Sequence, residues 1–197
     1  MGLHIGVLAL QGDVREHLRA LARLDCRASA VKRPAEVAAC DGLIIPGGES
    51  TAIGKLAERF GLGEAITDLH RRGRPVYGTC AGMILLAREI RDSDQWRLGL
   101  LRARVARNAF GRQVDSFEAD LPVEGIPGPP VRAVFIRAPY VEQAEEGVDV
   151  LATWQDRIVM VRQGTLLASA FHPELTSDDR VHQYFLDLCR AAAERTP

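Results

Sequence analysis

The sequence predicts an α/β fold, a three-layer sandwich in which helices cover both faces of a central, mostly parallel sheet. Three observations carry that expectation. Strand-length apolar runs alternate with helix-period segments through the first half of the chain. One run, Gly42-Leu43-Ile44-Ile45, has no polar position, as befits a strand buried on both faces. Another, Pro75-Val76-Tyr77-Gly78-Thr79, ends at a glycine-bracketed cysteine, Cys80, and continues into helix formers. That is a strand turning sharply into a helix with a cysteine at the corner.

In chain order, His4 to Leu10 reads as the first strand. Asp13 to Leu24 has helical spacing, with Val14, Leu18, Leu21 and Ala22 on one face. Ala28 to Lys32 is a second strand and Gly42 to Ile45 a third, expected to be central. The third runs into Pro46-Gly47-Gly48-Glu49-Ser50-Thr51, where Ser50 or Thr51 is placed to cap a helix continuing to about Phe60. Leu62 to Arg71 forms another helix. The fourth strand carries the cysteine corner, and the helix after it is expected to run to about Ile90.

The second half is richer in strands: Arg102–Ala106, Gln113–Ala119, Arg132–Ile136, Val148–Trp154, Arg157–Arg162 and Leu166–Phe171. Gln155-Asp156 suits a tight hairpin. Leu121 to Pro130, with four prolines and two glycines, reads as a surface loop and not a domain linker. Val181 to Ala193 closes the chain as an amphipathic helix with Val181, Tyr184, Phe185 and Leu188 inward. With no repeat or low-complexity segment, residues 1–197 are expected to form one domain, long enough to bury roughly 70% of the unfolded surface.

A hydrophobic fraction of 47% and a charged fraction of 26% are ordinary for a soluble globule. The net charge of -1 gives no reason to expect nucleic acid or an anionic membrane. The amino terminus lacks a signal-peptide pattern, and its apolar run stops at Leu10, too short for a membrane span. Cys26, Cys40, Cys80 and Cys189 show neither paired nor Cys-x-x-Cys spacing, which predicts a reduced, cytoplasmic protein. Cys26, Cys40 and Cys189 are read as small buried hydrophobes.

Chemistry converges on Cys80. A thiol of ordinary pKa is only about 3% ionised at neutral pH, and the following helix's dipole adds roughly 0.3–2 kcal/mol at most. A proton acceptor is needed. Phe171-His172-Pro173-Glu174 supplies one, with a carboxylate two positions on to fix the imidazole tautomer. Pro173 keeps the segment from continuing as a central strand. Attack on a carboxamide creates an oxyanion, and each well-placed donor is worth about 2.7–4 kcal/mol. The Gly47-Gly48 turn and the Ala81 amide are the candidate donors. His4, His17, His70 and His182 sit singly in strand or helix patterns and receive no catalytic role. No zinc-protease, phosphate-loop or dinucleotide motif occurs, so neither metal nor cofactor is expected.

These residues resemble a known family. Gly78-Thr79-Cys80-Ala81-Gly82 and the late His172-x-Glu174 are similar to the class I (triad) glutamine amidotransferases, whose fold is flavodoxin-like. Leu8-Ala9-Leu10-Gln11-Gly12, Pro46–Thr51, Arg107–Gln113, Asp115–Glu118, Phe135–Pro139 and Phe171–Leu175 resemble, more narrowly, the glutaminase subunits of pyridoxal 5′-phosphate synthase. The resemblance implies hydrolysis of L-glutamine to glutamate and ammonia, with Cys80 forming a thioester, His172 as acid and base, and Glu174 orienting it. It implies that Gly48, Glu49, Ser50, Arg107, Ile136 and Arg137 contact glutamine, with Gly48 and Ala81 in the oxyanion hole. An arginine fork suits a free amino acid's carboxylate. It also implies a separate synthase subunit in a large hetero-oligomer that consumes the ammonia, with Gln11-Gly12 near both the active site and the contact; that turn is a candidate coupling element, and the isolated subunit is expected to be nearly idle until docking orders the oxyanion hole. Asp13 departs from the pattern, since a small residue is expected after Gln-Gly.

Three rival readings remain at this point. A glutaminase serving histidine or purine biosynthesis shares the chemistry but not the narrower blocks. A degenerate scaffold that only binds a partner would not be expected to keep Cys80, His172 and Glu174 together. A cysteine hydrolase or chaperone of similar architecture would lack the late His-Pro-Glu.

Overall fold

The computed structural model describes residues 2–110 and 115–195. The first half alternates as expected: β1 (His4–Leu8), α1 (Val14–Arg23), β2 (Arg27–Val31), α2 (Pro34–Ala38), β3 (Gly42–Ile45), α3 (Ser50–Arg59), α4 (Leu62–Arg71), β4 (Val76–Thr79) and α5 (Ala81–Leu86). Then come β5 (Ala87–Ile90), β6 (Leu101–Ala106), β7 (Ser116–Leu121), β8 (Val131–Ile136), β9 (Tyr140–Ala144), β10 (Asp149–Trp154), β11 (Arg157–Gln163) and β12 (Leu166–Ser169). A single 3-10 turn at Pro173–Leu175 precedes α6 (Arg180–Arg195).

The large sheet runs β2-β1-β3-β4-β12-β11-β9-β6-β5, with β10 also paired to β11. Its first five strands are parallel, and β3 lies inside this half with every residue buried. Strands β11 and β9 reverse the direction, and β5 and β6 are parallel to each other at the far end. β7 and β8 form a separate antiparallel ribbon. One hydrophobic cluster runs from Ile5 in β1 to Cys189 in α6. Among the described residues no helix is long and apolar enough to cross a membrane.

Several expectations need correction. The helix after Cys80 ends at Leu86, not near Ile90, because Ala87–Ile90 pairs in parallel with β6. The α3 cap is Glu49, whose carboxylate accepts from the Thr51 and Ala52 N–H groups at 3.0 and 2.8 Å; Ser50 and Thr51 lie inside the helix. On α1, His17, Ala20 and Leu21 are buried, Val14 and Leu18 are half-buried, and Ala22 faces solvent. Strands β5 and β9 and helix α2 were not anticipated. The start of the expected Gln113–Ala119 strand lies outside the described residues, as does Gly111–Gln113 of the block beginning at Arg107. Gln155 and Asp156 do form the tight turn, both with left-handed backbone (φ 47° and 60°), joining β10 to β11.

Cys40 and Cys189 fill the core, where burial pushes the Cys40 thiol up to about 11 and the Cys189 thiol higher still. Cys26 is only half-buried.

Candidate active site

The site forms where β4 meets β12. The two strands run parallel with Thr79 opposite Ser169, and the Cys80 N–H donates to the Ser169 carbonyl at 2.8 Å. The chain leaving β12 is held by the His172 N–H, which donates to the Val134 carbonyl of β8 at 2.8 Å. This pairing brings Cys80 and His172, 92 positions apart, to the wall of one cavity.

Cys80 has φ 51° and ψ −103°, a sparsely populated conformation for a residue with a side chain. Such backbone costs on the order of 1–3 kcal/mol and persists only where packing enforces it. The flanking glycines provide that packing. A Cβ on Gly82 would run into the Ile45 carbonyl of β3, and one on Gly78 into the Gly82 backbone. The glycines therefore let β3, β4 and α5 close on one another.

Pro173 starts the 3-10 turn that folds Glu174 back beneath His172. His172 Nδ1 and Glu174 Oε1 are 2.6 Å apart, both residues buried. Burial alone would lower the imidazole pKa, but the hydrogen bond with Glu174 and the proximity of Asp13 and Cys80 outweigh it and push it up to about 12. Burial raises the Glu174 carboxyl, and His172 offsets only part of that.

Behind the carboxylate lies a buried chain that sequence reading missed. His17 Nε2 is 3.6 Å from Glu174 Oε2 and 3.2 Å from Thr79 Oγ1, while His17 Nδ1 meets His182 Nε2 at 2.9 Å. Burial holds both imidazoles well below their usual range, His182 at about 4, so both are neutral at physiological pH. Neither Glu174 Oε2 nor His182 Nδ1 has a hydrogen-bond partner among the described residues. An orphaned N–H costs more than an orphaned lone pair, which assigns the tautomers. His182 donates from Nε2 to His17 Nδ1, and His17 donates from Nε2 to Thr79 Oγ1. The only sequence signal was a histidine on α1 in phase with Ala20 and Leu21.

A cavity of about 420 Å³ opens over Cys80. Every residue expected to contact glutamine lines it: Gly48, Glu49, Ser50, Arg107, Ile136 and Arg137. Ala81 and His172 line it too, whereas Glu174 sits behind the histidine. Asp13, Ile84 and Asn108 complete the wall. The Arg107 guanidinium donates to Gln95 Oε1 at 2.6 Å, so Gln95, unremarked in the sequence, positions it. The Ile136 carbonyl lies 3.8 Å from the Cys80 sulfur. The Glu49 carboxylate is drawn below its usual range by the backbone donors that it caps and by Arg107.

The turn after β1 is clamped to the Gly47-Gly48 turn. The Glu49 N–H donates to Gln11 Oε1 at 2.7 Å, and the Asp13 N–H to the Gly47 carbonyl at 3.1 Å. Asp13, His172 and Glu174 offer three ligand-type atoms within 4.8 Å of one another. The short Nδ1–Oε1 contact, however, commits that nitrogen to a proton and not to a metal.

A corner cysteine, a histidine and a buried carboxylate at the mouth of a parallel sheet define a triad glutamine amidotransferase. The model of the SNO glutamine amidotransferase family matches residues 7–191, and the chain belongs to that family. Pyridoxal 5′-phosphate synthase subunit PdxT of Moorella thermoacetica is 58% identical over 94% of this chain and 99% of its own length. The protein of the same name from Frankia alni is 56% identical over 97% of each. A crystal structure described as a glutamine amidotransferase superposes with a TM-score of 0.90 at 53% identity, covering 94% of this chain and 98% of that one.

Proposed function

We propose that the chain hydrolyses L-glutamine to glutamate and ammonia and hands the ammonia to the synthase subunit of a pyridoxal 5′-phosphate synthase. The single observation that carries the chemistry is His172, paired with Glu174 and sharing the wall of one cavity with Cys80. In this reading His172 takes the Cys80 proton and the sulfur attacks the carboxamide carbon. The Gly48 and Ala81 N–H groups hold the oxyanion, each worth about 2.7–4 kcal/mol. The imidazolium returns its proton to the departing nitrogen, releasing ammonia and leaving a glutamyl thioester. His172 next deprotonates a water, which attacks the thioester to release glutamate and restore the thiol.

Arg107, held by Gln95, or Arg137 forks the substrate carboxylate, while Glu49 and the Ile136 carbonyl face its ammonium group. Ser50 closes the same wall, and residues 1–197 act as one glutaminase domain. A cytoplasmic compartment suits a catalytic thiol. Free ammonia in neutral water is mostly protonated and no longer nucleophilic, which favours direct transfer within a large hetero-oligomer. The Gln11-Gly12 turn, bonded to the oxyanion turn, couples docking to activity. Ammonia release from glutamine, measured with and without the synthase subunit, tests this reading. A mass shift of one glutamyl group on Cys80 after acid quench supports it, and a free subunit as active as the complex refutes the coupling.

A further inference from the structure

Asp13 lies in the turn after β1 with Oδ2 3.2 Å from His172 Nδ1. Glu174 Oε1 approaches the same nitrogen at 2.6 Å. One imidazole N–H thus faces two carboxylates. We propose that Asp13 is a second positioning carboxylate of the triad, sharing the Nδ1 proton with Glu174 and stabilising the imidazolium that accompanies the Cys80 thiolate. The inference rests on reading Cys80 and His172 as nucleophile and base.

Glu174 is the costlier place for negative charge. It is buried, and one of its oxygens finds no hydrogen-bond partner among the described residues. Asp13 keeps 34% of its side-chain surface in water and lines the cavity, so its charge retains solvent. Its position is enforced. The Asp13 N–H is bonded to the Gly47 carbonyl, and a Cβ on Gly47 would collide with the His172 ring beside the Asp13 carboxylate. The other titratable groups against the imidazole are Cys80 and, on α1, His17. Glu49, Arg107 and Arg137 share the cavity wall. With two acceptors for one N–H, loss of either leaves the other to hold the ring, and loss of both does not.

The test is the pH dependence of Cys80 alkylation by iodoacetamide in the full chain, read by peptide mass spectrometry without glutamine or synthase. In the parent, alkylation of Cys80 is expected to be measurable near pH 6. In Asp13→Asn its reactivity near pH 6 falls roughly tenfold, the effect of removing one opposite charge at this distance. Glu174→Gln also lowers it, and the double variant loses more than the product of the two single losses. A profile for Asp13→Asn that overlays the parent overturns the proposal, as do losses that simply multiply. A parent Cys80 with an ordinary thiol profile removes the ion pair and the proposal with it. Because this readout needs no glutamine, the glutaminase reading can fail in an ammonia assay while the Asp13 effect on Cys80 persists.

Discussion

Glu174 Oε2 lies 3.6 Å from His17 Nε2, so the triad carboxylate is backed by a second, fully buried imidazole. His17→Ala strips Glu174 of that neighbour and leaves the His182 Nε2–H without an acceptor. The orphaned donor costs about 1–3 kcal/mol. The variant is expected to melt several degrees below the parent in calorimetry and to lose kcat with little change in KM. An unchanged melting temperature would refute the assigned tautomer chain.

Cys80→Ala is expected to lower glutaminase kcat on the order of 10⁴-fold or more, while circular dichroism and synthase binding stay intact. His172→Asn should be nearly as damaging. Glu174→Gln is expected to cost less, since it removes the orienting group and not the base. Steady-state ammonia release ranks the three, and a different order would contradict the assigned roles.

Arg107 reaches the cavity from the end of β6, steered by Gln95. Losing a charge-assisted bond to a substrate carboxylate costs about 1.5–3 kcal/mol. Arg107→Ala should therefore raise KM for glutamine by roughly 10- to 100-fold with kcat less affected, and Gln95→Ala should follow it weakly. If KM holds and kcat collapses, Arg107 is not the carboxylate clamp.

Acid should weaken the fold through the two buried histidines. A neutral imidazole held below its unfolded pKa contributes stability that is present above about 6.5 and lost as pH falls through the folded value. For His182, held at about 4, the loss by pH 4 is roughly 3 kcal/mol, and His17 adds in the same direction. His172, raised, contributes stability that is complete below about 6.5, so it adds nothing to this loss. Glu174, raised by burial, offsets part of it on protonation. Melting curves at pH 7.5 and 5 should show a smaller acid drop for His182→Gln than for the parent; equal drops would count against the buried pair.

Gly82→Ala places a methyl group against the Ile45 carbonyl. Overpacking of this kind costs about 1–3 kcal/mol, and here it also displaces the corner that aims Cys80. Lower denaturation midpoint and lower kcat are expected together in urea titrations and ammonia assays. A fully active, stable variant would show that the elbow tolerates opening.

The residues that carry local physics were legible in the sequence. The apolar run 42–45, the glycine-bracketed Cys80 and the His172-Pro173-Glu174 turn each state their conformation within a few positions. The cavity wall gathers every residue expected to touch glutamine. What escaped depends on distant partners. Ala87–Ile90 continues a helical pattern and becomes a strand only because β6 lies beside it. His17 gained significance from α6, 165 positions away, and Gln95 from Arg107. Ser50 and Thr51 lost the cap to Glu49 because a longer carboxylate reaches two backbone donors at once. Asp13 stood out in the sequence as an oddity, but only the Gly47 clamp reveals that it points at His172.

The pairing of β12 with β4 also governs timing. The thiol is encoded before mid-chain, yet its base follows a strand made near the end of synthesis, and that strand must insert between β4 and β11. A nascent or truncated chain therefore carries a dormant cysteine, and hydrolytic competence emerges only with the last stages of folding.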